Sequence, residues 1–434
     1  MRFRLTSSRV IIFGFLGVII IASLILMLPV SSAEHTITPF TDALFTATSA
    51  TCVTGLIVYD TATYWSPFGQ AVILLLIQIG GMGVITVALG LSRLSGKKVG
   101  LLGRSFMQDS ISAPRLGGIM NFTRFIIITA LLTELSGALV LLPEFLGRFG
   151  LKGIWYSVFH SISAFCNAGF DVMGKFSSLT SFNGNILVNT VVMLLIIIGG
   201  IGFATWKDIK EHGFKIRRFS LQSKVILFAT ALFILIPALF FFFVQFSEMN
   251  MKNRILSSLF QSVTLRTAGF NTVDFSLLSD TSLAVMIVFM LIGGAPGSTA
   301  GGMKVTTVVV LFFSALSVFS RKKSVRIGDR SIDDENVKTA AAIFIMYVML
   351  FFAGGIVINI YDGIPLQKCL FETASAIGTV GLTTGITPSL SVFSKYILIF
   401  LMYVGRVGGL TLIFAAAKSS VSGAKLPLEK ISVG

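Results

Sequence analysis

The sequence predicts an all-α polytopic membrane protein. It should be built from four tandem, parallel units of helix, short re-entrant helix and helix, related by a pseudo-fourfold axis and crossing the bilayer eight times. Three observations carry this expectation. Of 434 residues, 54% are hydrophobic and only 12% charged, a balance that suits surroundings of lipid rather than water. Long apolar runs recur along the chain, and one short Phe…Gly motif returns at a spacing of about 100 residues.

The apolar runs fall at 10–29, 68–91, 119–142, 186–206, 222–246, 282–292 with 305–319, 339–360 and 394–416. Each approaches the roughly 20 residues that a helix needs to cross a bilayer core. The first follows a basic stretch, as a secretory signal would. It is longer than such a segment and no small-residue cleavage site precedes the next polar stretch, so it reads as a retained span.

Charge orders these runs. With both termini cytoplasmic, 24 of the 34 basic residues fall in inner segments, eight in outer ones, and Lys304 and Arg406 inside apolar stretches. The inner groups run from Arg2 to Arg9, Arg93 to Arg124, Lys207 to Lys224, Arg321 to Lys338 and Lys418 to Lys430. The positive-inside rule then sets an even number of crossings. The net charge of +15 is spread between spans rather than gathered on one face, which argues against nucleic acid as a partner. Cys52, Cys166 and Cys369 are too few for a disulfide framework. His35, His160 and His212 lack metal-ligand spacing, so no metal centre is implied.

The repeat becomes visible when the segments between odd and even spans are superposed. Phe45 to Leu56, Phe159 to Phe170 and Phe371 to Leu382 all read Phe-x3-Ser-Ala-x4-Gly-[Leu/Phe]. The third copy, Phe260 to Phe270, is one residue shorter and lacks the Ser-Ala pair, but ends in the same Gly-aromatic step. Each is about a dozen small and apolar residues, too short to cross and of re-entrant length. Pro39 and Pro365 stand where a first helical turn tolerates proline. The units are expected at 1–99, 100–218, 219–332 and 333–434, the last with a short cytoplasmic tail. A second echo lies inside the second span of each: Gly80-Gly81-Met-Gly83, Gly199-Gly200-Ile-Gly202, Gly293-Gly294-Ala-Pro296-Gly297 and Gly405-Arg406-Val-Gly408-Gly409.

Four re-entrant helices would aim their C-terminal ends at one centre, each with about half a negative charge there. Irregular backbone at membrane depth is tolerated where it lines a water-filled path, so the glycine turns should face the axis. There their carbonyls can replace an ion's hydration shell. The residues expected in this ring are Thr51, Cys52, Val53, Thr54 and Gly55; Cys166, Asn167, Ala168 and Gly169; Arg266, Thr267, Ala268 and Gly269; and Gly378, Thr379, Val380 and Gly381.

On these motifs the chain resembles the Trk/Ktr/HKT superfamily of potassium transporters over essentially its whole length. With no two additional N-terminal spans, it is most similar to the Ktr-type ion-conducting subunit. The resemblance implies a cation channel in the cell membrane that takes up potassium through one pore per subunit, with a four-glycine selectivity filter. In the family a serine in place of the first filter glycine goes with sodium permeation; here that position is Gly55. The resemblance also implies a homodimer, a separate cytosolic nucleotide-binding regulatory ring (KtrA-like), no tightly bound cofactor, potassium as substrate and sodium as a candidate activator.

The third unit departs from its siblings. Gly293, Gly294, Ala295, Pro296, Gly297, Ser298, Thr299, Ala300, Gly301, Gly302 and Lys304 cannot continue a regular helix. A phosphate-binding loop would need Gly-Lys-[Ser/Thr], whereas Met303 precedes Lys304 and Val305 follows. The stretch reads as a flexible intramembrane plug, and the resemblance makes it the gate. Arg406 costs roughly 2.5–3.5 kcal/mol at such depth unless it finds acceptors, and the plug's carbonyls are the expected ones. Arg266 is expected to pair with a carboxylate behind the ring, Glu372 being one candidate, rather than to point into the pore. An alternating-access transporter of organic solutes would show inverted repeats and side-chain hydrogen-bonders at the matched positions. An enzyme would show paired acids or a nucleophile couple, and none is visible.

Overall fold

The computed structural model describes residues 6–84, 86–87, 100–110, 117–275, 278–322, 324–409 and 411. The basic residues expected inside at 2–4, 93–98, 115, 323 and in the tail lie outside these.

Along the described chain a long helix, a short helix, a turn and a second helix follow one another four times. The long helices are α1 (Ser7–Met27), α5 (Ile119–Phe149), α9 (Leu221–Phe240) and α13 (Asp334–Asp362). These four are long and apolar enough to span a membrane, α9 together with the π turn that follows it, Phe241–Gln245. In α5, Leu131, Leu132, Leu135 and Leu139 are each more than half exposed, as expected of a helix that faces acyl chains. The short helices are α2 (Phe40–Thr51), α6 (Lys152–Phe165), α10 (Met251–Thr264) and α14 (Leu366–Gly378). Their motif phenylalanines, Phe45, Phe159, Phe260 and Phe371, are fully buried. Pro39 and Pro365 are the N-caps of α2 and α14, one position before the first turn.

The second helices are α3 (Pro67–Met82), α7 (Ile186–Gly200), α11 (Asp280–Met290) and α15 (Val392–Val407). Each starts at a polar cap: Ser66, Asn185, Ser279 and Ser391 accept from the N–H three residues on, at 3.0–3.2 Å, a bond that satisfies an otherwise orphaned helical donor. Each also stops early. Gly83, Gly202 and Gly408 have φ of 87°, 88° and 88°, which ends α3, α7 and α15 at the same point of the second echo. The run at 186–206, read from sequence as one straight span, therefore turns by 96° between α7 and α8 (Phe203–His212). Only the third unit had been expected to break. There α11 and α12 (Val305–Phe319) are separated by residues 291–304. Among the described residues the expected eight full-length spans thus appear as four long helices, or five if the bent pair counts as one, with α3, α11 and α12 as shorter apolar helices. On the remaining segments, α4 (Leu101–Ser110) precedes α5, and a two-strand hairpin, β1 (Arg326–Ile327) with β2 (Arg330–Ser331), joins α12 to α13.

Packing follows one rule. Each long helix lies on the short helix after it, and each second helix lies on the short helix of the next unit: α3 on α6, α7 on α10, α11 on α14 and α15 on α2. The last contact joins the fourth unit to the first.

Candidate ion pathway

At the end of each short helix the backbone takes the same path. Val53, Asn167, Thr267 and Thr379 adopt left-handed φ of 57°, 59°, 62° and 51°, and two residues later Gly55, Gly169, Gly269 and Gly381 have φ of 95°, 69°, 80° and 92°. The N–H between them turns back onto its own helix. Thr54, Ala168 and Val380 donate to the carbonyls of Ser49, Ser163 and Ser375 at 2.8 Å, and Ala268 to that of Thr264 at 3.0 Å. The motif serines add a second strap. Ser49 Oγ accepts from Gly55 N at 3.1 Å and Ser375 Oγ from Gly381 N at 3.0 Å, while Ser163 Oγ donates to the Phe170 carbonyl at 2.7 Å. Thr264 Oγ1 donates likewise to the Phe270 carbonyl, so a threonine supplies in the third unit the hydroxyl that the missing serine had seemed to remove.

With the N–H groups drawn back, the carbonyls meet the neighbouring units. A side chain on Gly55 would strike the Ala168 oxygen; on Gly169, the Ala268 oxygen; on Gly269, the Val380 oxygen; and on Gly381, the Thr54 oxygen. The contacts run in chain order and return to the start. Four carbonyl oxygens and four glycines, contributed by segments up to 326 residues apart, are thereby brought into one closed ring at the converging negative ends of four helices.

The second-echo glycines let the neighbouring backbone approach this ring. A Cβ on Gly80, Gly199 or Gly405 would meet the last carbonyls of its own unit's short helix, those of Thr51, Phe165 and Ile377. Gly378 sits equally close to the Met290 carbonyl of α11. Cys52 and Cys166, which cap α2 and α6, are buried free thiols.

The loop 291–304 rests against the turns of the second and fourth units. Thr299 Oγ1 donates to the Phe165 carbonyl at 3.1 Å and to Asn167 Oδ1 at 3.3 Å. Gly301 and Gly302 press on Thr379 and Gly378 without room for a side chain. The loop is also tied to the helix breaks: Ala295 N to Gly200 O at 2.9 Å, Thr299 N to Gly199 O at 3.2 Å, Phe203 N to Gly297 O at 2.7 Å and Gly302 N to Gly405 O at 3.1 Å. Gly293 N bonds Met303 O at 2.7 Å and Ser298 Oγ the Ala295 carbonyl at 2.6 Å. Where the sequence suggested a flexible plug, the loop is thus a packed segment held from three directions. Lys304 Nζ folds back on the loop's own Ala300 and Gly301 carbonyls at 2.7 and 3.2 Å.

Arg406 stands in the position that Gly81 and Gly200 occupy in their units. Its Nη1 donates to the Thr299 carbonyl of the loop, and its Nη2 to the carbonyls of Gly80 and Gly81 in α3. The acceptors therefore come from the loop and from the first unit's helix break together. Arg406 and Lys304 line a cavity of 260 Å³ along with Gly81, Gly83, Ser298 and Gly408.

One expectation about buried charges needs correction. Arg266 does not meet Glu372, whose carboxylate accepts from Thr383 Oγ1, Thr384 N and Thr387 Oγ1 within its own unit. Arg266 is 4% exposed with Nε and Nη2 unpartnered, while its carbonyl accepts from Asn167 Nδ2 at 3.3 Å. A buried ion pair was missed altogether. Lys395 Nζ of α15 lies 2.8 Å from Asp42 Oδ1 of α2, and Tyr59 donates to Asp42 Oδ2 at 2.9 Å. Its signal was a lysine in the first turn of an apolar helix. Asp208, Glu211 and His212 bring ligand atoms within 4.8 Å of one another, but Asp208 Oδ2 already accepts two bonds from Ser220.

Backbone oxygens that converge between four hairpins of a helical membrane protein are a ligand set suited to a cation. Comparison with known proteins agrees: the chain belongs to the TrkH family of cation transport proteins, whose family model matches residues 7–425. It is 37% identical over 438 residues to the Ktr system potassium uptake protein B of Bacillus subtilis, covering 99% of this chain and 97% of that one. It is 36% identical to the potassium/sodium uptake protein NtpJ of Enterococcus hirae, covering 100% and 98%, and 34% identical to the Ktr system potassium uptake protein B of Vibrio alginolyticus, covering 99% and 95%. The crystal structure of the potassium transporter TrkH from Vibrio parahaemolyticus shares the fold, with a TM-score of 0.72 at 19% identity over 96% of this chain and 86% of that one. The protein is a membrane transporter and not an enzyme.

Proposed function

We propose that this chain takes up potassium ions across the cell membrane through a single pore per subunit. The residues from Thr51 to Gly55, Cys166 to Gly169, Arg266 to Gly269 and Gly378 to Gly381 form the selectivity filter. The carbonyls of Thr54, Ala168, Ala268 and Val380 make one of its rings. The observation that carries this reading is the closed cycle in which each filter glycine abuts the next unit's carbonyl oxygen. Such oxygens replace a cation's hydration shell without presenting a fixed charge that would trap it. Gly55 favours potassium over sodium, and sodium is a candidate activator.

In this reading the four units enclose a pseudo-fourfold axis and cross the membrane eight times in total, with broken second helices completing the crossings and both termini cytoplasmic. Residues 293–304 form the gate below the filter, with Arg406 its latch. Control comes from a separate cytosolic nucleotide-binding subunit docked on the inner basic segments, and two copies of the chain assemble as a homodimer. The relatives' description as parts of a Ktr system supports a multi-subunit assembly.

The test is uptake in cells lacking their own potassium transporters, with potassium and sodium measured separately for the parent and for Gly55→Ser. Potassium uptake by the parent, with a shift toward sodium in Gly55→Ser, is expected. No potassium uptake by inserted parent protein, or equal selectivity in the variant, would overturn the reading.

A further inference from the structure

One buried acid takes no part in the pathway as described. Glu134 lies in the middle of α5 and is 4% exposed. Both of its carboxylate oxygens accept from the same amide, Gln78 Nε2 of α3, at 2.9 and 3.1 Å. The Cys166 thiol, at the end of α6, lies 3.9 Å from Glu134 Oε1 and 3.8 Å from Gln78 Oε1. No salt bridge among the described residues offsets the carboxylate's burial, so the group is retained at a cost.

The matched place in the third unit holds an apolar residue instead. In both units a short-helix serine donates to a carbonyl of the long helix: Ser161 Oγ to the Glu134 carbonyl at 2.6 Å, and Ser262 Oγ to the Ile234 carbonyl. The two donors stand two residues after their motif phenylalanines, so Glu134 and Ile234 occupy matched places. The matched residue is a half-buried isoleucine in one unit and, in the other, a buried carboxylate that joins three helices.

The joined parts belong to both ends of the pathway. Cys166 opens the filter turn of the second unit. Gln78 is two residues before Gly80, and the carbonyls of Gly80 and Gly81 seat Arg406. Gly81 in turn lies directly on Cys166, where a Cβ would come within 2.7 Å of the sulfur. We propose that Glu134 is a positioning residue: through Gln78 and Cys166 it fixes the second filter turn against the broken helix of the first unit, and so holds ion selectivity and the Arg406 seat in register. This rests on the reading of the glycine turns as a filter.

The experiment measures potassium and sodium flux in liposomes, per inserted protein, for Glu134→Ile, Glu134→Gln, Gln78→Met and the double variant Glu134→Ile/Gln78→Met. Gly169→Ser serves as the control for the filter itself. Glu134→Ile and Gln78→Met should each lower the potassium-to-sodium flux ratio about tenfold, the factor that one lost buried hydrogen bond carries. The double variant should fall no further, because the two residues act through one contact. Glu134→Gln, whose amide oxygen still accepts from Gln78, should keep the parent ratio. Should Glu134→Ile fail to insert, the double variant replaces the pair with apolar groups and reads the same ratio. An unchanged ratio in Glu134→Ile or the double variant, while Gly169→Ser shifts it, overturns the positioning role alone. No shift in any variant overturns the filter reading with it. Loss of selectivity in Glu134→Gln equal to that of Glu134→Ile, or additive losses in the double variant, would also refute the role.

Discussion

Replacing Arg406 with alanine should make the closed pathway leak. The guanidinium is held on one side by the Gly80 and Gly81 carbonyls of α3 and on the other by the Thr299 carbonyl of the loop. Among the described residues only the Thr299 bond links the arginine to the proposed gate, so that bond sets the size of the effect. A hydrogen bond from a charged donor is worth about 1.5–3 kcal/mol net, which moves an open-to-closed equilibrium by roughly 10- to 150-fold. While the open state remains a small minority, flux rises by the same factor. The loop itself should stay folded, because its bonds to Gly199, Gly200 and Gly405 do not involve the arginine. Arg406→Lys should fall between parent and alanine, since one ammonium cannot span acceptors on both sides as the planar fork does. The assay is tracer potassium flux from liposomes holding purified protein without a regulatory partner, normalised to correctly inserted chain. Unchanged or reduced flux in Arg406→Ala would refute the latch.

Gly381→Ala places a Cβ against the Thr54 oxygen at a φ of 92°, a strain of about 1–2 kcal/mol before the clash is counted. Potassium uptake should drop by about tenfold or more at equal membrane abundance, and uptake at the parent rate would count against the carbonyl ring. Asp171 follows the second filter glycine by two residues. Its carboxyl is pushed up to about 7 by burial, opposed by the bond from Met173 N and reinforced by the nearby Asp60. Being an acid, it is charged above that value and neutral below it, so its ionised share falls as the pH drops from about 8 to about 6. Uptake at limiting potassium should decline over this window and flatten in Asp171→Asn; equal pH profiles for the two proteins would remove it as the cause. Lys395→Met leaves Asp42 buried without its cation and should cost about 3–5 kcal/mol of stability. That loss should be visible as a lower melting temperature in detergent, and smaller in Asp42→Asn/Lys395→Met. A single variant that melts with the parent would show that the pair does not hold α15 to α2.

The sequence was most legible where one local rule is copied four times. Four Phe…Gly segments at matched places in four apolar contexts left little freedom about what they form. The helix breaks were harder to read, although their signal was present. Gly-Gly-x-Gly inside an apolar run looks like a site of helix packing, and hydrophobic periodicity carries no information about the sign of φ. The common register of Gly83, Gly202 and Gly408 was the usable clue. Partners distant in sequence were the least legible. Glu372 was offered to Arg266 because both are buried and oppositely charged, yet three threonine groups of its own unit satisfy it. Asp42 and Lys395, 353 residues apart, become neighbours only because the fourth unit closes on the first.

That closure explains where the special residues fall. A ring of four similar hairpins can position four carbonyls with nothing but glycines and hydroxyls, and at those places the units agree. A scaffold with this symmetry offers no means of shutting itself, because any plug on the axis must come from one unit and be received unequally by the rest. The departures match that requirement. The third unit gives up its helix between 291 and 304 to supply the loop, and the second receives it on Asn167, where the other turns have Val53, Thr267 and Thr379. The fourth carries Arg406 where the first and second have Gly81 and Gly200, and the first lends the carbonyls that hold it. In the proposed gate each unit contributes one different part. It follows that exchanging residues between matched positions, such as Arg406→Gly, should spare the ring and disable the gate, whereas exchanging a ring glycine should do the reverse.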